Sequence, residues 1–354
     1  MKRLLLLALL VPIALTSFAS PKATPNITYT TEGLWNTSNG HANWINILNA
    51  YHEIDLWRGG SLDIDLLAVN NLRYSQGKSG IADDLHIFSA IEDESVPLSL
   101  FEFGITHHFN ASTLSFGVRN VNKDYFTSPW NSIFTSSVGG LFPSLSDNFP
   151  ISDSPMSAMC LHSELYLFKG FVWKSSLYNG VASNQWDEVF NIRPKRDGVF
   201  SITEFSYTGK EGTYLGTYRL GAAFGDTPLP EAQRSADDPT KKHKRESVWM
   251  LVEQPLYFTP DGHQLTLLLH GGWAPNSECE LYGAMGILWR GLLSDKDYIG
   301  FLYNRSLYRT GYETALELTY AYPTSFGTIQ PAIHRVYTHT ATHTIAMAKV
   351  VFDF

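Results

Sequence analysis

Only two cysteines, Cys160 and Cys279, occur in the 354 residues, too few for a disulfide framework. No run of about 18 apolar residues exists either, so no helix of this chain is long and greasy enough to span a bilayer. Charged residues make up 17%, where a soluble globular domain carries about 25%. CxxC, HExxH and GxSxG patterns are missing, as is a glycine-rich loop between a strand and a helix, so the common redox, zinc-protease, hydrolase and nucleotide-binding signatures are not present. No catalytic residue, metal or cofactor is therefore expected, and the chain reads as a non-enzyme. Aromatic residues, in contrast, are abundant: 18 Tyr, 21 Phe and 9 Trp, 14% of the whole. A lipid-facing wall with aromatic girdles needs that mixture, and so does a face that stacks on sugar rings.

Lys2 and Arg3, the apolar run Leu4 to Leu15 and the small residues Ser17 and Ala19 form the three regions of a secretory signal peptide. Residues 1–19 are expected to be removed and residues 20–354 to form one β-barrel domain. Loss of Lys2 and Arg3 takes the formal charge from −8 to −10, which argues against nucleic acid as a partner.

The rest of the chain fills with segments that alternate apolar and polar residues between Gly, Pro, Asn or Asp. Sixteen such strands follow one another from Thr28–Trp35 to His343–Phe354, the ninth placed at Thr213–Phe224. Links after even strands are brief, such as Lys169-Gly170, and links after strands three, five, seven and nine are long. Bacterial outer-membrane barrels obey that parity, because they start and finish in the periplasm. At the end of the chain Ala346, Ala348, Val350, Phe352 and Phe354 form one outward row. An apolar row closed by a terminal aromatic is what such barrels offer to their insertion machinery, so Phe352 and Phe354 are candidates for the assembly signal. The fold expected is all-β: a transmembrane antiparallel up-and-down barrel of about 16 strands with a long inward-folded loop. Pro331 falls inside a strand, where a bulge or a shifted boundary is expected.

The stretch Asn122-Lys123-Asp124-Tyr125-Phe126-Thr127-Ser128-Pro129-Trp130, continued by Leu141-Phe142-Pro143-Ser144-Leu145-Ser146-Asp147-Asn148-Phe149-Pro150, resembles the carbohydrate-selective porins of the OprB type. Arg196-Asp197-Gly198-Val199-Phe200, Tyr282-Gly283 with Trp289-Arg290-Gly291, and Glu313-Thr314-Ala315-Leu316-Glu317 agree with that resemblance in order along the chain. It implies a pore in the outer membrane of a Gram-negative bacterium through which small sugars and other hydrophilic solutes diffuse without covalent chemistry.

In such a pore the working residues face the lumen or lie on a loop folded into it. The longest link, Asn120 to Ala158, supplies Asp124, Trp130, Asp147 and Asp153. Alternation turns Asp63, Asp65, Glu102, Arg119, Glu313 and Glu317 inward, because Arg or Lys on the lipid face costs about 2–4 kcal/mol at the midplane. Arg193, Arg196 and Glu204 join the candidates through the resemblance. His107, His108, His334, His339 and His343 match no metal-ligand spacing. The basic run Lys241 to Arg245 lies in an external loop, where it is either solvated or meets lipopolysaccharide phosphate. Expected partners are therefore small sugars, outer-membrane lipid and lipopolysaccharide, and the insertion machinery, with monomer and homotrimer both open. Two other readings remain: a secreted or periplasmic β-rich glycan-binding protein or glycoside hydrolase, and an outer-membrane channel for a non-sugar solute.

Cys160 and Cys279 fall six strands apart on a sixteen-strand ring, farther than the roughly 7 Å between Cα atoms that a disulfide allows. Both thiols should react with maleimide after denaturation without reductant. A native crosslink found by mass spectrometry would overturn the strand order between them.

Overall fold

The computed structural model describes residues 25–74, 81–82, 89–91, 95–151, 153–210, 213–235, 238, 240–338 and 340–354. The expected signal peptide and His339 lie outside the described residues. Sixteen antiparallel strands close into one barrel, each paired with its sequence neighbours and the first with the last. They are β1 Asn26–Asn36, β2 Ala42–Trp57, β3 Gly60–Tyr74, β4 Val96–His108, β5 Ser112–Arg119, β6 Ala158–Phe168, β7 Phe171–Asn179 and β8 Val199–Thr208. The second half comprises β9 Thr217–Thr227, β10 His243–Phe258, β11 Gln264–Trp273, β12 Cys279–Arg290, β13 Tyr298–Tyr308, β14 Gly311–Thr324, β15 Gly327–Thr338 and β16 Thr342–Asp353.

Three elements depart from the sequence expectation. β10 starts at His243, so His243, Lys244 and Arg245 of the basic run lie on a strand and not in the external loop, Arg245 Nη1 donating to Asn148 O at 2.5 Å. β9 starts at Thr217, not Thr213, because Thr213 Oγ1 donates to Lys210 O at 2.6 Å and Gly209 N to Gly216 O at 2.9 Å, which spends those residues on a turn. Pro331 causes neither a bulge nor a boundary. Its missing N–H removes two rungs of the β14–β15 ladder, which passes from Thr319↔Ala332 to Tyr322↔Ile329 and resumes in the same register. A bulge does occur on β4, where Asp65 pairs Glu102 and Leu66 pairs Leu100. Phe101 is the extra residue, and its carbonyl accepts a 2.8 Å bond from Ser157 Oγ.

The period of two sorts side chains by face. Leu48, Ile105, Leu114, Leu177, Leu220, Met285, Phe301, Leu318 and Ile333 stand exposed outward. Aromatic rings flank that band, Trp57, Phe109, Phe168, Tyr257, Tyr322 and Phe326 towards the short turns and Trp35, Trp44, Trp273, Tyr312 and Tyr337 towards the long loops. An apolar belt around the whole circumference has no aqueous solution that leaves it unpaired, since monomers in water rarely expose patches beyond a few hundred Å².

One stretch of this exterior is covered by the chain itself. The β7–β8 link folds back over the outside of β3 to β6: Val189 packs on Leu100 and Val118, leaving Val118 fully buried, and Phe190 meets the outward Phe103 edge-on at 6.1 Å. Trp186 Nε1 donates to Leu98 O at 3.1 Å, pinning the link there.

The terminal strand closes the ring. The Phe352 ring stacks between Tyr29 at 6.0 Å and Phe326 at 5.5 Å, and Phe354 N donates to Ile27 O at 2.9 Å while its side chain stays exposed. Replacing Phe352 and Phe354 together by Ala should lower the yield of folded barrel several-fold while leaving export unchanged, read by heat-modifiable gel migration. Normal barrel yield would count against an assembly role for that row.

Candidate functional site: the occupied lumen

The described residues of the link between β5 and β6, 120–151 and 153–157, lie inside the barrel. Asn120 closes its two ends: Oδ1 caps the helical turn Val121–Asp124 through Asn122 N at 2.9 Å, and Nδ2 donates to Met156 O at 2.8 Å. Tyr125, Phe126, Phe134, Phe142 and Phe149 are then buried against the inner face of β8 to β13. Phe126 meets Trp249 at 5.0 Å, Phe142 meets Tyr282 at 5.1 Å and Phe149 meets Phe200 at 5.2 Å. Two glycines make room. A Cβ on Gly272 would stand 2.1 Å from Ser144 Oγ, and one on Gly300 would stand 2.9 Å from the Phe134 ring.

A loop in such a place carries backbone polar groups that no strand can pair. Wall side chains pair them instead. Glu317 on β14 accepts from Thr135 N at 2.7 Å, Thr135 Oγ1 at 2.9 Å and Ser136 N at 3.1 Å. Glu253 on β10 accepts from Asn131 N at 2.9 Å and from Ser128 Oγ. Asn148 exchanges two bonds with the Cys279 backbone on β12, at 2.8 and 3.1 Å. Cys160 and Cys279 themselves are both free and buried.

A second segment also enters. Ile81 and Ala82 are fully buried against Leu34, Ile45, Val336, Ile345 and Met347, with Asn36 Nδ2 donating to Ile81 O at 2.8 Å. Ala90 N reaches Thr135 O at 3.0 Å, so the two in-folded segments bridge each other. This second segment joins the expected inward-folded loop in the lumen.

What remains is a polar vestibule of about 500 Å³ on the short-turn side, between the first segment and the wall from β1 to β6. Its inner end is an ion network. Lys123 Nζ lies 2.6 Å from both Asp65 and Glu102 and 4.5 Å from the centre of the Tyr51 ring. Arg119 reaches Glu102 at 2.8 Å and holds Asp124 through two bonds, Nε at 3.1 Å and Nη2 at 2.7 Å. Lys174 donates to Asp124 O at 2.8 Å and sits 3.5 Å from Glu164. Burial alone would raise the Asp124 carboxyl, but Arg119 and His162 hold it below the usual carboxylate range. Burial would likewise lower Lys123, and the Glu102 and Asp65 carboxylates hold it above the ordinary lysine value. Asp63 accepts from Thr106 at 2.5 Å and Tyr51 at 3.3 Å and completes the lining.

Of the expected residues, Asp63, Asp65, Glu102, Arg119 and Asp124 therefore come together in one cavity. Glu317 faces inward as a loop anchor. Glu204 is fully buried beneath the loop, 3.1 Å from Arg219. Glu313 is buried near the opposite end of β14, and Asp147 accepts from Tyr308 Oη at 2.8 Å on the far wall. Trp130 lines a separate cavity of about 270 Å³ with Tyr298 and Arg290. Asp153 sits in the loop's return, its carbonyl accepting from Met156 N at 2.6 Å. Arg193 and Arg196 are displaced from the lumen altogether: they ride on the β7–β8 link, where Arg196 is exposed and meets Asp197 at 3.6 Å. Lys123, Glu253, His162 and Glu164 were not anticipated.

The closed sixteen-strand ring is similar to solved porin structures. The high-pH structure of Pseudomonas putida OprB is similar over 97% of this chain and 96% of that one, with a TM-score of 0.78 at 15% identity. The low-pH structure of that protein gives 0.65 at 14% identity over 97% and 95%. An anion-selective porin from Comamonas acidovorans gives 0.58 at 10% identity over 94% and 99%. No family model and no curated protein matches the chain. At such identities the likeness establishes the porin fold.

Asp124→Asn leaves Arg119 short of a buried partner and should cost about 3 kcal/mol at neutral pH. A carboxyl with a lowered folded pKa contributes stability above its unfolded value of about 3.9 and loses it as pH falls through the folded one. The difference between variant and parent in thermal gel-shift midpoint should thus hold from pH 8 to about pH 5 and shrink in stronger acid. A difference that vanished near neutrality would contradict the pairing.

Proposed function

We propose that the chain is a passive diffusion channel of the Gram-negative outer membrane for small hydrophilic solutes, with carbohydrates as the preferred class. The observation that carries this reading is the vestibule, where carboxylates, cations and hydroxyls crowd one aqueous cavity walled by an apolar-belted barrel. Such a lining can donate to and accept from every hydroxyl of a sugar while repelling none. Tyr51 and Tyr166 add rings to the same cavity.

Hydrolase chemistry is the weaker reading. Glu313 and Glu317, four residues apart on β14, are about 13 Å apart along an extended strand, beyond glycosidase spacing.

Glu53, Asp63, Asp65, Glu102, Asp124 and Glu164 outnumber Arg119 and Lys123 around the vestibule. Reversal potentials should show a cation preference, and Lys123→Gln should strengthen it. In liposome swelling, neutral mono- and disaccharides should enter faster than anionic solutes of equal size. Strong anion selectivity, or swelling indifferent to solute class, would defeat the carbohydrate reading.

A further inference from the structure

The outward belt is interrupted by a groove of about 340 Å³ beneath the β7–β8 link. Its floor is a row of three neighbours in the cross-strand ladder, Phe116, Leu161 and Leu177, which are 53%, 47% and 49% exposed. Ile192, 63% exposed, forms the lip, followed at once by Pro194. The groove opens to the outside of the barrel towards the long loops.

Cations gather at that lip from two loops. Lys195 and Arg196 are exposed directly after Pro194. Lys242, from the link before β10, crosses over and donates from Nζ to Pro194 O at 3.4 Å, so the basic run of that link is brought against the first. Arg196 is partly answered by Asp197, whereas among the described residues Lys195, Lys241, Lys242 and Lys244 have no ion pair. Asp226, the ladder neighbour of Lys244, Glu246, next below it on the outward face of β10, and the exposed Asp187, Glu188 and Asp238 of the two links are among the acids of these elements. At the lip itself Lys195, Arg196 and Lys242 converge on Pro194, with Asp197, among the described residues, as the one acid in an ion pair there.

We propose that this lip and groove bind one phosphorylated, acylated lipid of the outer leaflet, of lipid A chemistry. Its phosphate would sit on Lys195, Arg196 and Lys242, and one acyl chain would lie along Phe116, Leu161 and Leu177. This rests on the outer-membrane reading above, which sets the long loops at the outer leaflet. Charge complementarity selects the occupant. A second copy meeting this face about a two-fold axis would set cations against cations, and a neighbour in a three-fold ring would have to answer them with acids and fill the groove with its own apolar belt. A soluble anion would leave the groove unused. Each cation near an anionic lipid surface is worth about five-fold in affinity, so removing three should weaken binding on the order of 100-fold.

The test uses the full chain folded in detergent and titrated with bisphosphorylated lipid A, with a neutral phosphatidylcholine and with inorganic phosphate, read by native mass spectrometry. Lys195→Gln, Arg196→Gln and Lys242→Gln combined should lower lipid A affinity about 100-fold, and Lys169→Gln on the short-turn side should leave it unchanged. Ile192→Ser should weaken lipid A several-fold with no effect on phosphate. Heat-modifiable migration verifies that each variant is folded. Equal lipid A binding by the triple variant, phosphate or phosphatidylcholine binding as tight as lipid A, or a dimer abolished by Ile192→Ser would each overturn the site. Loss of sugar entry with lipid A binding intact would fault the channel reading and leave this one standing.

Discussion

The rest of the lumen depends on how an irregular loop is kept hydrogen-bonded inside a closed barrel. Strands spend their backbone groups on their neighbours, so the segment 120–157 must find partners among wall side chains or remain outside. Leaving a buried donor unmet costs about 1–3 kcal/mol each, which makes the Glu317 and Glu253 carboxylates structural requirements before they are anything else. Their acceptor oxygens point at loop N–H groups and hydroxyls, and this fixes where the loop's charged end, Lys123-Asp124, meets the wall. The vestibule is the space left over once those bonds are made.

The barrel interior is consequently divided by chemistry. From β8 to β13 the inner face is mostly apolar, with Trp249, Leu251, Leu268, Tyr282, Leu288 and Leu302 buried under the loop's aromatic rings and Glu204, Arg219 and Glu253 among them. From β1 to β6 it is polar around the vestibule. On the mostly apolar half Glu253 anchors loop backbone and Glu204 meets Arg219; around the vestibule Asp65 and Glu102 meet Lys123.

That division also explains what the sequence made legible. Where one face is wet and the other apolar, as in Leu62-Asp63-Ile64-Asp65, alternation assigns both the strand and the direction of each side chain. In β10, Val248-Trp249-Met250-Leu251-Val252-Glu253 is apolar on both faces because the loop covers the inside, so periodicity marks the strand without marking Glu253 as an inward anchor. Lys123 stood beside Asp124 in the recognised stretch, yet its pairing with Asp65 and Glu102 depends on how the loop lies across β3 and β4, which local pattern does not encode. Arg193 and Arg196 went astray for the converse reason: a charged residue in a long link has no alternation to say whether the link turns inward or folds over the outer wall. The entry of Ile81 and Ala82 was hidden in the same way, since the segment is short of any period.

The apolar half of the lumen has a bearing on what the barrel would be without its plug. Were the loop withdrawn, β8 to β13 would expose Trp249, Leu251, Leu268, Tyr282, Leu288 and Leu302 to the lumen beside Glu204, Arg219 and Glu253, apolar patches that weaken a water column. The expelled segment would leave a wider but unevenly wetted passage, with its charges concentrated along β1 to β6. The plug is thus the hydrophilic lining of its own barrel: by covering the greasy wall and turning Lys123 and Asp124 to the other side, it keeps the remaining passage wet.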